Sequence, residues 1–207
     1  MKITGLYLAA GHSLRMGMNK LSLPFGDHLL GMWALEKAIH SQLDEIIIIS
    51  NQVNALPYKT AEDEICMVTM IEGEGPNQSD SIKAGLDKAI EYQSDAIMIL
   101  LADQPFISTK IINQLINIYK QDHTRSFVAP LMDESMRPPI LLSKTLFKDL
   151  YKLEGDQGAK QILMEKRQEG VLVPFLDRKI FVDIDTIDEY LFWTQNIQSM
   201  SLEESNE

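Results

Sequence analysis

The sequence predicts a single Rossmann-like α/β domain, a mostly parallel sheet with helices on both faces. Three observations predict it. Short apolar runs recur at residues 6–10, 45–50, 65–71, 96–102 and 127–129, too short for helices and apolar on both sides of a pleat. Between them, apolar residues return at helical spacing. The chain of 207 residues carries neither an internal repeat nor a linker, which suits one domain with a covered central sheet.

Taken in order, Ile3-Thr4-Gly5-Leu6-Tyr7-Leu8 reads as the first buried strand. Leu30, Ala34, Leu35, Ala38 and Ile39 then share one helical face and lead into Glu45-Ile46-Ile47-Ile48-Ile49-Ser50. The run 65–71 is the third strand. Ile82, Leu86, Ala89 and Ile90 form a second helical face ahead of the strand at 96–102, and Ile111, Ile112, Leu115, Ile118 and Tyr119 form a third. Strands buried on both sides and separated by amphipathic helices imply a parallel sheet, whose ligands bind at the strands' carboxyl ends. The second half is less regular. It carries a strand at 139–142, helices near 144–151 and 158–166, and short strands at 171–175 and 180–183. Thr186-Ile187-Asp188-Glu189 reads as a capping box that opens a last helix. The expected domain spans 1–198, and 199–207 is an acidic, frayed tail.

The formal net charge of −11 argues against broad binding to nucleic acid or anionic membranes, because its field repels polyanions. An anionic ligand then needs a local cationic site. Cys66 is the one cysteine and sits in an apolar run, so no intramolecular disulfide forms and a reduced, cytoplasmic setting fits. No apolar run approaches the roughly 20 residues that cross a bilayer, and the N-terminal apolar segment is too short for a signal peptide.

Chemistry concentrates in the segment Leu8-Ala9-Ala10-Gly11-His12-Ser13-Leu14-Arg15-Met16-Gly17-Met18-Asn19-Lys20. Ala9, Ala10 and Gly11 remove side-chain bulk where a strand meets a loop, so backbone amides can turn toward a ligand. Arg15 adds a planar fork and Lys20 a compact point charge, which together suit a triphosphate. Asp103, in Leu101-Ala102-Asp103-Gln104-Pro105, stands just past a buried strand. Alone it reads equally as a turn cap; beside a triphosphate it is a natural Mg²⁺ ligand. Asp183 and Asp185, two apart in an extended segment, point to the same side, or else favour the dipole of the last helix. The four histidines show no metal-ligand spacing.

The first segment resembles the L-A-A-G-x-S-x-R-M-G-x-x-K signature of the molybdenum cofactor nucleotidyltransferase family, especially its cytidylyltransferase branch and xanthine dehydrogenase accessory proteins. Further matches follow in order: Gln78-Ser79-Asp80-Ser81-Ile82-Lys83-Ala84-Gly85-Leu86, the Asp103 turn, Ile140-Leu141-Leu142-Ser143, Gly155-Asp156-Gln157-Gly158-Ala159-Lys160, and Asp183-Ile184-Asp185-Thr186. Two departures are visible. Ile187 stands where the family has proline, and Arg137-Pro138 precede the strand where a glycine is usual.

The resemblance implies a fold of the nucleotide-diphospho-sugar transferase type and transfer of CMP from CTP to the terminal phosphate of molybdopterin, with pyrophosphate leaving. Leu8, Ala9, Ala10, Gly11, Arg15, Lys20, Ser79 and Ser81 would bind the nucleotide. Ser79 or Ser81, taken alone, reads first as a helix N-cap. Arg15, Lys20 and Asp103 would be catalytic, with Asp103 and Asp185 on Mg²⁺ and Asp183 beside them. Arg137, Gly155, Asp156 and Lys160 would face the acceptor, though isolated cations are commonly just solvated. The implied partner is a xanthine dehydrogenase-type client. A sugar- or polyol-phosphate nucleotidyltransferase and a non-catalytic cofactor carrier are the competing readings. Among the bases, Leu8-Ala9-Ala10-Gly11 resembles the cytidylyl branch, where guanylyl relatives tend to carry a second glycine.

Overall fold

The apolar runs become the strands of one sheet. The computed structural model describes residues 1–11, 16, 19–51, 56–58, 67–72, 75 and 77–204. Among them the strands are β1 (Ile3–Leu8), β2 (Pro24–Phe25), β3 (His28–Leu29), β4 (Glu45–Ser50), β5 (Met67–Glu72), β6 (Ala96–Leu101), β7 (Phe127–Met132), β8 (Ser135–Met136), β9 (Ile140–Ser143) and β10 (Gly170–Pro174). The helices are α1 (Trp33–Ile39), α2 (Gln78–Glu91), α3 (Thr109–Gln121), α4 (Phe147–Leu150), α5 (Lys160–Glu165) and α6 (Ile187–Glu204). The main sheet runs β10-β7-β9-β6-β1-β4-β5, with β8 paired to β7. β9 runs against β6 and β7, and the β1, β4, β5 and β6 pairings are parallel. β2 and β3 form a separate hairpin.

The pleat sorts the core into two layers. Tyr7, Ile46 and Ile48 face α1 and α3 on one side, whereas Leu6, Leu8, Ile47 and Ile49 face α2, α4 and α5 on the other. Strands buried on both faces read as continuous apolar runs for this reason. The stripe on α2 is Ile82, Leu86 and Ala89; Ile90, expected with them, is 45% exposed at its edge. Gly85 lets that helix approach closely, since a Cβ there would lie 2.9 Å from Ile49 Cδ1.

Local chemistry accounts for the departures from expectation. Residues 180–183 do not form a strand: Asp177 accepts from the Lys179 amide at 2.9 Å and closes a 3-10 turn over Arg178–Phe181. The helix expected over 144–151 splits into a 3-10 turn, Lys144–Leu146, and the short α4. The β7–β8 hairpin, which the hydropathy pattern does not predict, turns through Asp133 and Glu134, both at positive φ, the backbone that two-residue hairpins demand. Ile65 and Cys66, expected to begin a strand, lie outside the described residues. The capping box is present: the Glu189 amide donates to Thr186 Oγ1 at 3.2 Å, and the Thr186 amide donates to Glu189 Oε2 at 2.9 Å. The helix it opens continues through Ser199, where a frayed tail is expected, to Glu204. Thr186→Ala is expected to cost about 1 kcal/mol. In a thermal melt that is a fall of about 2–4 °C for a chain of this size. An unchanged midpoint would show that the cap contributes nothing to stability.

No described helix is long and apolar enough to cross a membrane.

Candidate active site

The order of the sheet reverses at β1, which has β4 on one side and β6 on the other. Ligands in such sheets bind outside the carboxyl ends of the strands at that point. Three charged side chains meet there. Lys20, from a 3-10 turn at Lys20–Ser22, places Nζ 2.8 Å from Asp103 Oδ2 and 2.7 Å from Asp185 Oδ1. Asp103 follows β6 by two residues, and Asp185 directly precedes Thr186 at the head of α6. Three distant parts of the chain thus converge on one nitrogen.

Burial alone would depress the Lys20 ammonium, but the charges and hydrogen bonds of Asp103 and Asp185 outweigh it and hold it above the ordinary lysine range. The Lys20 side chain is 11% exposed, Asp103 23% and Asp185 39%. The cluster is therefore a partly desolvated pair of acids sharing one cation, open toward solvent on the Asp185 side. Tyr7 lies beneath it, donating to the Gly31 carbonyl at 2.9 Å. Burial and the nearby Asp103 charge push its phenol well above the usual tyrosine range.

The segment carrying Asp183 and Asp185 is fixed by what lies between them. Ile184 is fully buried against Phe25, Leu30 and Ile197, and its amide donates to the Asp103 carbonyl at 3.0 Å. The two acids flank that anchor, as the extended spacing predicts, yet they take different partners. Asp185 meets Lys20, while Asp183 Oδ1 accepts from Gln104 Nε2 at 2.8 Å. Burial and the charge of Asp103 push the Asp183 carboxyl up to about 6, against the opposing pull of Gln104 and Arg137.

The small-residue loop begins as a continuation of the sheet. Leu8, Ala9 and Ala10 are buried, and the Ala9 amide donates to the Ile49 carbonyl at 2.8 Å. That amide serves the sheet rather than a ligand. The Ala10 carbonyl accepts from Asn51 Nδ2 at 2.7 Å, so the loop is tied to the end of β4. Gly11 is exposed, and a Cβ at that position would meet no described atom within 4 Å. Arg15 lies outside the described residues.

Neither Ser79 nor Ser81 caps α2. That position belongs to Asn77, whose amide donates to Asp80 Oδ2 at 3.1 Å. Both serines are buried in the first turn. The Ser79 amide donates to the Gly155 carbonyl at 3.2 Å, and a Cβ on Gly158 would lie 2.9 Å from Gln78 Oε1. The Gly155 segment therefore packs against the start of α2, with Gly155 at a φ of +57° that glycine adopts without strain. Asp156 is exposed in the same turn. Lys160 donates to Ser135 Oγ at 2.6 Å on the β7–β8 hairpin, and lines an open groove with Gly158, Gln161 and Met164. Arg137 stands apart from that groove; its charge acts on Asp183, and its Nε is buried without a hydrogen-bond partner.

Comparison with known proteins identifies the family. The MobA-like NTP transferase domain family matches residues 5–171. The chain belongs to that family. It is 32% identical over 196 residues to the purine catabolism protein PucB of Bacillus subtilis (strain 168), covering 91% of this chain and 94% of that one. It is 28% identical over 203 residues, with the same coverage, to a probable molybdenum cofactor guanylyltransferase of Clostridium perfringens (strain ATCC 13124). Among solved structures, Rv0371c of Mycobacterium tuberculosis H37Rv in complex with manganese superposes with a TM-score of 0.74 at 23% identity, covering 94% of this chain and 99% of that one. The last likeness is one of fold. The protein is thus a nucleotidyltransferase-family member with a mostly parallel α/β sheet and flanking helices, as the sequence predicts.

Sequence reasoning misses Gln104 and Asn51. Gln104 sits inside the segment that marks Asp103, and its signal is a polar amide beside a proline at a strand end. Asn51 has a similar signal, directly after β4.

Proposed function

We propose that this protein transfers the CMP group of CTP to the terminal phosphate of molybdopterin and releases pyrophosphate, supporting maturation of a xanthine dehydrogenase-type molybdoenzyme. The observation that carries the reaction class is the convergence of Lys20, Asp103 and Asp185 at the sheet's reversal point. An acceptor phosphate oxygen attacks the α-phosphorus, the bond from that phosphorus to the bridging oxygen breaks, and pyrophosphate takes the electron pair. No enzyme-bound intermediate is needed, because the acceptor is already a nucleophile.

Asp103 and Asp185 carry hard carboxylate oxygens of the kind Mg²⁺ takes, and in this structure they converge on the Lys20 ammonium, so a bound ion would share or take over that contact. Among the described residues no group of three His, Cys, Asp or Glu could enclose a metal, and Mg²⁺ ordinarily completes its shell with water and phosphate oxygens. When bound there, the ion would neutralise triphosphate charge. Lys20 and Arg15 carry the remaining positive charge toward the leaving pyrophosphate. Leu8, Ala9, Ala10 and Gly11 shape the floor for the nucleotide, with Ser79 and Ser81 beside it. The acceptor lies toward Arg137 and the segment of Gly155, Asp156 and Lys160. Contact between Gly155 and Ser79 makes the two substrate sides neighbours.

Support for CTP comes from Ala10, whose methyl stands where guanylyl relatives tend to carry glycine. Support for the client comes from the Bacillus relative, named for purine catabolism, since purine oxidation is the chemistry of a xanthine dehydrogenase. The test is pyrophosphate release by the purified protein with Mg²⁺, molybdenum-loaded molybdopterin, and CTP, GTP or ATP in parallel. Release with CTP at least about tenfold faster than with GTP is expected, within the range that a single methyl achieves. Equal rates would discard the base assignment, and silence with all three nucleotides would favour a cofactor carrier.

A further inference from the structure

We infer that Gln104 is a positioning residue: its amide holds Asp183 away from the Lys20–Asp103 pair, leaving that place to Asp185. The inference rests on the proposed site, whose two alternating acids could otherwise compete for one lysine. Alternation in an extended segment gives Asp183 and Asp185 the same side, and the buried Ile184 between them anchors both. What separates their roles is the partner each takes. Gln104 Nε2 donates to Asp183 Oδ1 at 2.8 Å, whereas Lys20 Nζ donates to Asp185 Oδ1 at 2.7 Å.

Gln104 is an unusual choice for a position that is 1% exposed. Its Oε1 is buried without a hydrogen-bond partner, a penalty that an apolar side chain of the same size would avoid. The compensating contact on its side chain is the bond to Asp183. That bond also fixes the amide's orientation, because a flipped amide would set Oε1 against a carboxylate oxygen. Two links therefore clamp residues 103–104 to residues 183–184: the Ile184 amide on the Asp103 carbonyl at 3.0 Å, and the Gln104 amide on Asp183. The backbone link sets the distance between the segments. The side-chain link sets which acid turns toward Lys20.

Arg137 faces Asp183 from β8's end of the sheet and attracts it as well, but its Nε lacks a hydrogen-bond partner and no ion pair joins the two among the described residues. Gln104 supplies the directional contact. A glutamine that served packing alone would be replaced by methionine without loss. One that orients Asp183 would not.

The test is Gln104→Met, which keeps volume and removes the donor. Its thermal midpoint is expected to stay within a few degrees of the parent, because the loss of the unpaired acceptor offsets leaving the Asp183 carboxylate without its donor. Pyrophosphate release is expected to fall by about 10–100-fold, the usual effect of losing an orienting hydrogen bond around a metal site. In an Asp183→Ala background the same substitution is expected to add less than about twofold, since the partner through which it acts is absent. A crystal structure of Gln104→Met without ligands supplies a readout independent of turnover: the Asp183 carboxylate is expected to leave its position and turn toward Lys20 or Arg137. An unmoved Asp183, turnover within about twofold of the parent, or full additivity in the double variant would each overturn the inference. If the parent releases no pyrophosphate with any nucleotide, the proposed reaction fails, and the position of Asp183 in the crystal still decides the role of Gln104.

Discussion

Lys20→Met is expected to reduce pyrophosphate release by about 10³-fold, at the upper end of what removing one preorganised electrostatic contact does in enzymes. The side chain bridges Asp103 and Asp185 from a nearly buried position, so its loss leaves two acids facing one another with no shared cation. Met keeps the length and removes the charge. Breaking a fully buried pair costs about 3–5 kcal/mol, but both acids here retain contact with solvent, and Asp185 at 39% exposure is well screened. A smaller loss, of about 1–2 kcal/mol, is expected in the thermal melt. Lys20→Arg separates charge from shape. Its guanidinium is a broad planar fork, and the space between two carboxylates that lie 2.8 and 2.7 Å from one nitrogen suits a compact ammonium. Little recovery of turnover is expected from it. Turnover of Lys20→Met within about tenfold of the parent would leave the lysine a structural counter-ion and move the leaving-group role to Arg15.

Much of the fold is legible in the sequence because burial on both faces leaves a plain mark. Ile46 to Ile49 alternate between the two core layers, and a strand with helices above and below must be apolar at every position. The spacing of Ile111, Ile112, Leu115 and Tyr119 finds α3 for the related reason that one stripe meets the core. What escapes is decided by local hydrogen bonds. Asp177 turning the chain at Lys179 and Asn77 capping α2 ahead of Ser79 depend on which of several polar residues reaches an amide first, and hydropathy does not encode that choice.

The site is legible as a set of residues and illegible as an arrangement. Lys20, Asp103 and Asp185 lie far apart in sequence and meet only because β1, β6 and the head of α6 end at one edge. The loop residues are expected to offer successive amides to phosphate, yet the Ala9 amide belongs to β4. Arg137 and Lys160 group together in sequence as acceptor cations. The structure sends one to Asp183 and the other to Ser135. Asp183 and Asp185 illustrate the limit best: an alternation of two residues gives both acids one side and cannot give them different partners.

Asp103→Asn is expected to lower Mg²⁺-dependent turnover by about 10³-fold while leaving the fold intact. Asparagine keeps the planar shape, and its carbonyl oxygen can still accept from Lys20, so the bridge survives in neutral form. The backbone carbonyl of residue 103, which receives the Ile184 amide, is untouched. The charge is what disappears, and with it the stronger of the two hard metal donors, since Asp103 is the more buried acid at 23% against 39%. Lower exposure means weaker solvent screening and a larger interaction with any cation placed there. Asp185→Asn should therefore cost less, about 10–100-fold. The Mg²⁺ dependence separates a metal-binding role from a purely structural one. If the acids served only to hold Lys20, raising the Mg²⁺ concentration would recover neither variant. If they hold the metal, it recovers part of the lost turnover, and more of it in the milder Asp185→Asn. Unchanged turnover in Asp103→Asn, with the thermal midpoint preserved, would remove Asp103 from the site.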